Sequence, residues 1–138
     1  MSGNLPQPAL GKKMVLVIED EADLRQLSAW LLEAEGYEAL LAGDGDAGLK
    51  MAREHHIDLI LLDIRMPGRY GWSILSEIKA TPELQNIPVI ILTASADAGY
   101  KSKALQMGAL DYLIKPIDAQ KLKESIARVL GENHLQAG

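Results

Sequence analysis

The sequence predicts an α/β domain in which five parallel strands form a doubly wound sheet covered on both faces by five helices. Two observations predict it. Between residues 14 and 130, short apolar runs alternate with segments whose apolar residues recur at helical spacing, the signature of successive βα units. Four of the runs also end abruptly in polar side chains. Met14 to Ile18 ends in Glu19-Asp20, Leu59 to Leu62 in Asp63, Val89 to Leu92 in Thr93, and Tyr112 to Ile114 in Lys115. If the strands are parallel, these endings share one edge of one sheet, the edge at which open α/β sheets bind ligands.

The elements follow in order. Residues 1–12 carry Gly3, Pro6, Pro8 and Gly11 with little to bury and read as a flexible tail. The domain proper is expected over 13–131, with a second short tail at 132–138. Met14 to Ile18 is the first strand. Ala22 to Glu35 is the first helix, with Leu24, Leu27, Leu31 and Leu32 as its apolar side and Gly36 as its stop. Tyr37 to Ala42 reads as an edge strand. The second helix runs from about Asp46 to His55, on Ala47, Leu49, Met51 and Ala52. Leu59 to Leu62, apolar throughout and bounded by a Met66-Pro67-Gly68 turn, suits a strand buried on both faces. Trp72 to Ala80 is the third helix, closed by Thr81-Pro82. Val89 to Leu92, Ala98 to Met107 and Leu110 to Ile114 give a strand, a helix stopped by Gly108, and a strand. Asp118 is the expected N-cap of a last helix, Ala119 to Leu130, with Leu122, Ile126, Val129 and Leu130 as its stripe. The first, third and fourth strands are the most apolar and should be central. Trp30 and Trp72 are expected in the core or half-buried.

Composition narrows the functions. A chain of 138 residues with 48% apolar and 24% charged residues fits one domain with a core of its own. No apolar stretch reaches the roughly 18–20 residues needed to span a bilayer, so no membrane role is expected. Cysteine is absent, which removes disulfides and thiolate metal sites and agrees with a cytoplasmic location. The net charge of −5 and the lack of a concentrated Lys/Arg run disfavour direct nucleic-acid binding.

Glu19, Asp20 and Asp63 carry the strongest chemical signal. Carboxylates converging at a strand edge raise one another's pKa unless a cation sits among them. A hard divalent ion answers that need, and Mg2+ typically takes one or two carboxylates, waters and a phosphate. The bland alternative, an acidic first helical turn, accounts for Glu19 to Asp23 but not for Asp63, Thr93 and Lys115 ending their own runs. A lysine at such an edge can neutralise phosphoryl oxygens as a point charge, and a threonine hydroxyl can donate to one. Taken singly, Lys115 would be a strand exit and Thr93 a turn residue.

Two other motifs fail on chemistry. Gly43-Asp44-Gly45-Asp46-Ala47-Gly48 fits the dinucleotide fingerprint, but Asp44 and Asp46 would face a pyrophosphate, and the fingerprint belongs in the first βα turn. As a calcium loop the segment has Leu49 and His55 where Gly and Glu are required. His55-His56 ends a helix with no third ligand or nucleophile at a useful spacing.

From Lys13 to Leu130 the chain resembles the receiver domain of two-component response regulators. The resemblance rests on Val15-Leu16-Val17-Ile18-Glu19-Asp20-Glu21, Asp58-Leu59-Ile60-Leu61-Leu62-Asp63-Ile64-Arg65-Met66-Pro67, Ile87-Pro88-Val89-Ile90-Ile91-Leu92-Thr93-Ala94 and Gly108-Ala109-Leu110-Asp111-Tyr112-Leu113-Ile114-Lys115-Pro116. It implies a flavodoxin-like fold of strand order 2-1-3-4-5. It also implies Asp63 as phosphoacceptor, Asp20 and Glu19 as Mg2+ ligands with the backbone carbonyl of Arg65, and Thr93 and Lys115 on the phosphoryl oxygens. Tyr112 stands at the aromatic switch position, where its ring would enter space that Thr93 vacates. Glu19 replaces a commoner Asp, and Tyr70 stands where an acid is common.

The function so implied is a phosphorylation-dependent switch rather than a metabolic enzyme. A sensor histidine kinase, a phosphotransfer protein or a small phosphodonor would phosphorylate Asp63 with Mg2+, and the acyl phosphate would later hydrolyse slowly. The surface from Ala98 to Leu130 is the expected docking or homodimerisation face. Only Gly131 to Gly138 follow Leu130, so output is expected through an unknown partner protein, a phosphorelay or a longer parent chain. Two rival classes are an aspartyl-phosphate hydrolase, disfavoured because Arg65 occupies its general-acid position, and a pseudo-receiver that only binds partners, disfavoured by the complete set Asp20, Asp63, Thr93 and Lys115.

Overall fold

Continuous apolar runs become buried strands when helices cover both faces of a sheet. In the computed structural model, which describes residues 11–64 and 71–132, the runs form β1 (Met14–Ile18), β2 (Glu38–Ala42), β3 (Leu59–Leu62), β4 (Val89–Thr93) and β5 (Asp111–Ile114). They make one parallel sheet in the order β2-β1-β3-β4-β5, as expected. The three central strands β1, β3 and β4 are buried along their whole length.

Because side chains alternate across a strand, the sheet sorts its residues into two cores. Leu16, Ile18, Ile60, Leu62 and Ile91 pack with α2 (Gly45–Glu54), α3 (Gly71–Ala80) and α4 (Ala98–Gln106). Val15, Val17, Leu59, Leu61 and Ile90 face Leu32 of α1 (Ala22–Ala34) and Leu122 and Ile126 of α5 (Ala119–Val129). Asp118 caps α5 by accepting from the Lys121 N–H at 3.0 Å, and Gly36 takes the left-handed conformation (φ +89°) just past α1, where a side chain would be strained. No described helix is long and apolar enough to cross a membrane.

Two expectations need correction. Trp30 is 62% exposed and Leu27 37% exposed. The inward face of α1 is taken by Leu32 and by Ser28 and Ala29, the last two small enough to let the helix lie close to the sheet, and Leu27 and Trp30 turn outward. Trp72 is half-buried as expected. The helix α4 buries only Ala104, while Leu105 stays 43% exposed; this helix is the most lightly anchored of the five. Residues 1–10, 65–70 and 133–138, which include most of the expected tails and the expected Met66-Pro67-Gly68 turn, lie outside the described residues.

Candidate functional site

Strand register brings the polar endings together. Ile18 lies opposite Leu62, so the next residues, Glu19 and Asp63, leave the sheet side by side. The Asp63 N–H donates to the Ile18 carbonyl at 3.0 Å and the Glu19 N–H to the Ala42 carbonyl at 3.0 Å, which ties both acids to the last rung of the ladder. Thr93 ends β4 beside Ile114, and the Lys115 N–H donates to the Thr93 carbonyl at 2.7 Å. Four of the residues expected at the edge, Glu19, Asp63, Thr93 and Lys115, are therefore there, with Asp20 next to Glu19 in the chain.

The side chains converge as well. Glu19, Asp20 and Asp63 each offer a carboxylate oxygen within 4.8 Å of the others. Glu19 and Asp63 are buried and Asp20 is partly covered. Lys115 reaches across the edge with Nζ 2.8 Å from Glu19 Oε1 and 3.2 Å from Asp63 Oδ2, and lies 3.9 Å from Glu21 Oε1. One ammonium thus faces several acids. Burial, helped by the Asp63 charge, pushes the Glu19 carboxyl up to about 7, although the Lys115 ammonium and the Glu21 N–H pull the other way. Burial alone would lower the Lys115 ammonium, but the two carboxylates outweigh it and hold its pKa above the ordinary lysine value.

This surplus of buried negative charge, presented entirely by oxygen donors, fits a hard divalent cation such as Mg2+. The donor set suits it poorly to a soft or imidazole-seeking metal. The carbonyl of Arg65, expected as a further ligand, lies outside the described residues.

Behind the acids, Thr93 is fully buried and its Oγ1 accepts from the Ser95 N–H at 3.4 Å. The Tyr112 ring is also buried, and its hydroxyl donates to the Ser95 carbonyl at 2.8 Å. The loop between β4 and α4 is therefore fastened at Ser95 from both Thr93 and Tyr112. Sequence reading assigned Ser95 no part in this fastening. Arg25 is a further contributor: its Nη1 donates to the carbonyl oxygens of Glu19 at 2.8 Å and Asp20 at 3.1 Å. Nothing in the sequence separates Arg25 from an ordinary helix-surface arginine. Gly71 is a further omission. A Cβ there would lie 2.5 Å from the Ile64 Cα and 2.6 Å from the Asp63 carbonyl oxygen, so the first turn of α3 presses directly on the backbone that carries Asp63.

The parallel order 2-1-3-4-5, with an acidic, oxygen-lined cleft at the carboxyl ends of its central strands, defines a flavodoxin-like domain of the kind that binds ligands at that edge. A family model described as the response regulator receiver domain matches residues 15–127, and the chain belongs to that family. It is 39% identical over 120 residues to the polar-differentiation response regulator DivK of Brucella ovis and of Brucella abortus, covering 87% of this chain and 98% of theirs. Among solved structures, a receiver domain protein from Clostridium thermocellum superposes with a TM-score of 0.78 at 38% identity, covering 86% of this chain and 94% of that one. The Vibrio cholerae chemotaxis protein CheY4 superposes with a TM-score of 0.81 at 27% identity, covering 86% and 98%.

Proposed function

We propose that the chain is a phosphorylation-dependent signalling switch, modified on Asp63. The observation that carries this reading is the arrangement of Glu19, Asp20 and Asp63 around one edge with Lys115 bridging two of them. Glu19 and Asp20, with an oxygen of Asp63 and the Arg65 carbonyl, would hold Mg2+. Bound there, the ion supplies positive charge against the phosphoryl oxygens. A carboxylate oxygen of Asp63 attacks the phosphorus of a phosphohistidine on a sensor kinase or phosphotransfer protein. The P–N bond breaks and the imidazole nitrogen keeps its electron pair. Lys115, already 3.2 Å from Asp63 Oδ2, follows the new charge outward onto a phosphoryl oxygen. Thr93 contributes its hydroxyl to another.

The output would pass through Thr93 and Tyr112. The Tyr112 ring already lies inside, against Ser95, so phosphorylation need not admit it. A Thr93 hydroxyl drawn to a phosphoryl oxygen would lose its contact with the Ser95 N–H, and the loop leading to α4 would settle on the Tyr112 hydroxyl instead. One charge-assisted hydrogen bond is worth roughly 1.5–3 kcal/mol, enough to shift two populations about ten- to a hundredfold. With so little of α4 buried, the face made by α4, β5 and α5 is where a partner protein or a second copy would sense the change. Such a switch works in the cytoplasm, where kinases act.

The test is direct. With acetyl phosphate and Mg2+, intact-mass measurement should show one added phosphoryl group, labile to hydroxylamine and absent from Asp63→Asn. Label that persists on Asp63→Asn would overturn the assignment. Failure of the native protein to bind Mg2+ at all would favour the pseudo-receiver.

A further inference from the structure

Arg25 enters neither the acid cluster nor the phosphoryl contacts, yet its guanidinium donates to the backbone of two of the acids. We propose that Arg25 is a positioning residue: it fixes the backbone of Glu19 and Asp20 so that their carboxylates point into the cation site. This rests on the reading of that cluster as a Mg2+ site.

Three features support it. Nη1 carries two N–H bonds and uses them on two successive carbonyls, Glu19 at 2.8 Å and Asp20 at 3.1 Å. Those peptide units belong to the segment between β1 and α1, where ladder bonding ends with Glu19 and helix bonding has not yet begun. The first helical N–H there, that of Arg25 itself, donates to the Glu21 carbonyl at 2.9 Å. The carbonyls of Glu19 and Asp20 fall between the two systems, and Arg25 supplies the donors that set their direction. Second, a peptide plane that turns carries its side chain with it, so fixing two consecutive planes fixes where both carboxylates aim. Third, the space for the guanidinium is provided by Gly43. A Cβ at that residue would stand 3.2 Å from Nη1 and 3.6 Å from Cζ. Gly43 is not among the positive-φ glycines, so its lack of a side chain answers to space, not to backbone conformation.

A charge argument makes the claim falsifiable by sign. A guanidinium that acted only as a nearby positive charge would repel Mg2+, and removing it would tighten binding. If it positions the loop, removing it must weaken binding although the site becomes more negative. The measurement is a Mg2+ titration of the full chain, followed by amide NMR shifts of Glu19 to Glu21, without any phosphodonor. Arg25→Met should weaken Mg2+ five- to tenfold while the thermal transition of the metal-free protein stays within a few degrees. Arg25→Lys, which keeps a donor and the charge, should recover part of the loss. Gly43→Ala keeps the charge and displaces the guanidinium by a few tenths of an ångström, and should weaken Mg2+ about twofold. That effect should vanish when Arg25→Met is already present. Unchanged or tighter binding in Arg25→Met overturns the proposal, as does an undiminished Gly43→Ala effect in the double variant. If Arg25→Met does not fold, Gly43→Ala combined with Arg25→Lys carries the same comparison, and full additivity there overturns it. Asp20→Asn separates the two readings. Loss of Mg2+ in Asp20→Asn but not in Arg25→Met removes the positioning role alone, whereas no Mg2+ binding by the native chain removes the site itself.

Discussion

The acid cluster should make the metal-free protein less stable as pH rises through the weakly acidic range, opposite to the usual behaviour of paired carboxylates. Glu19 is held at about 7 in the folded chain against 4.5 for the free side chain. Between those values the native state binds a proton that the unfolded state has lost, so the linkage slope is negative and stability falls with rising pH. At about 1.4 kcal/mol per unit, the full displacement corresponds to roughly 3 kcal/mol, or on the order of 10 °C in the thermal transition for a domain of this size. Lys115 does not distort the window. Its raised pKa stabilises the fold at all pH values below the unfolded lysine value and is lost only above it. The assay is denaturant or thermal unfolding in chelator at pH 4.5, 5.5, 6.5 and 7.5, repeated with Glu19→Gln and with saturating Mg2+. Glu19→Gln should flatten the profile, because its side chain does not titrate. Mg2+ should raise stability chiefly at the upper end, where the carboxylate is formed and available. A native profile in chelator that rises from pH 4.5 to 7, or one that Glu19→Gln leaves unaltered, would refute the reasoning.

Two further perturbations test the packing behind the site. Gly71→Ala forces a Cβ to within 2.5 Å of backbone at Ile64; it should lower stability by about 1–3 kcal/mol in urea unfolding and shift the Asp63 amide, and a silent substitution would mean that α3 can move away freely. Trp72 meets Tyr100 edge-on at 5.8 Å and lies 4.3 Å below the Lys103 ammonium, so Trp72→Ala should loosen α4 and raise amide exchange from Ala98 to Gln106, at roughly 1–2 kcal/mol. Trp30→Ser, on an exposed ring, is the control and should stay within about 0.5 kcal/mol.

How much of this was legible in the sequence depended on range. Runs such as Leu59 to Leu62 have one stable environment, the middle of a covered parallel sheet, so the strands and the edge residues Glu19, Asp63, Thr93 and Lys115 could be placed from the chain alone. Trp30 could not. Its size argues for burial, but the side of α1 that faces the sheet is decided by how closely the helix can approach, and Ser28 and Ala29 allow an approach that excludes the larger rings. Arg25 and Gly71 were hidden for a related reason. Their roles lie in backbone groups they touch, the carbonyls of Glu19 and Asp20 and the chain at Asp63 and Ile64, and backbone groups leave no mark in a sequence.

The cleft is better understood as a held imbalance than as a set of ligands. Lys115 can neutralise one of the two acids it touches, and burial, helped by the Asp63 charge, keeps Glu19 partly protonated near neutral pH. Replacing Lys115 with Met should therefore not merely remove a phosphate contact. It should leave Glu19 and Asp63 buried without their ammonium, a loss of about 3–5 kcal/mol for a broken buried pair when both are charged. The deficit should shrink on acidification, since protonating Glu19 removes one of the stranded charges, and it should shrink with Mg2+, which supplies positive charge by another route. Unfolding of Lys115→Met at pH 5 and pH 7.5, with and without Mg2+, reads all of these effects. A deficit equal under the four conditions would mean that Lys115 packs its chain against the sheet edge and carries no electrostatic share of the fold.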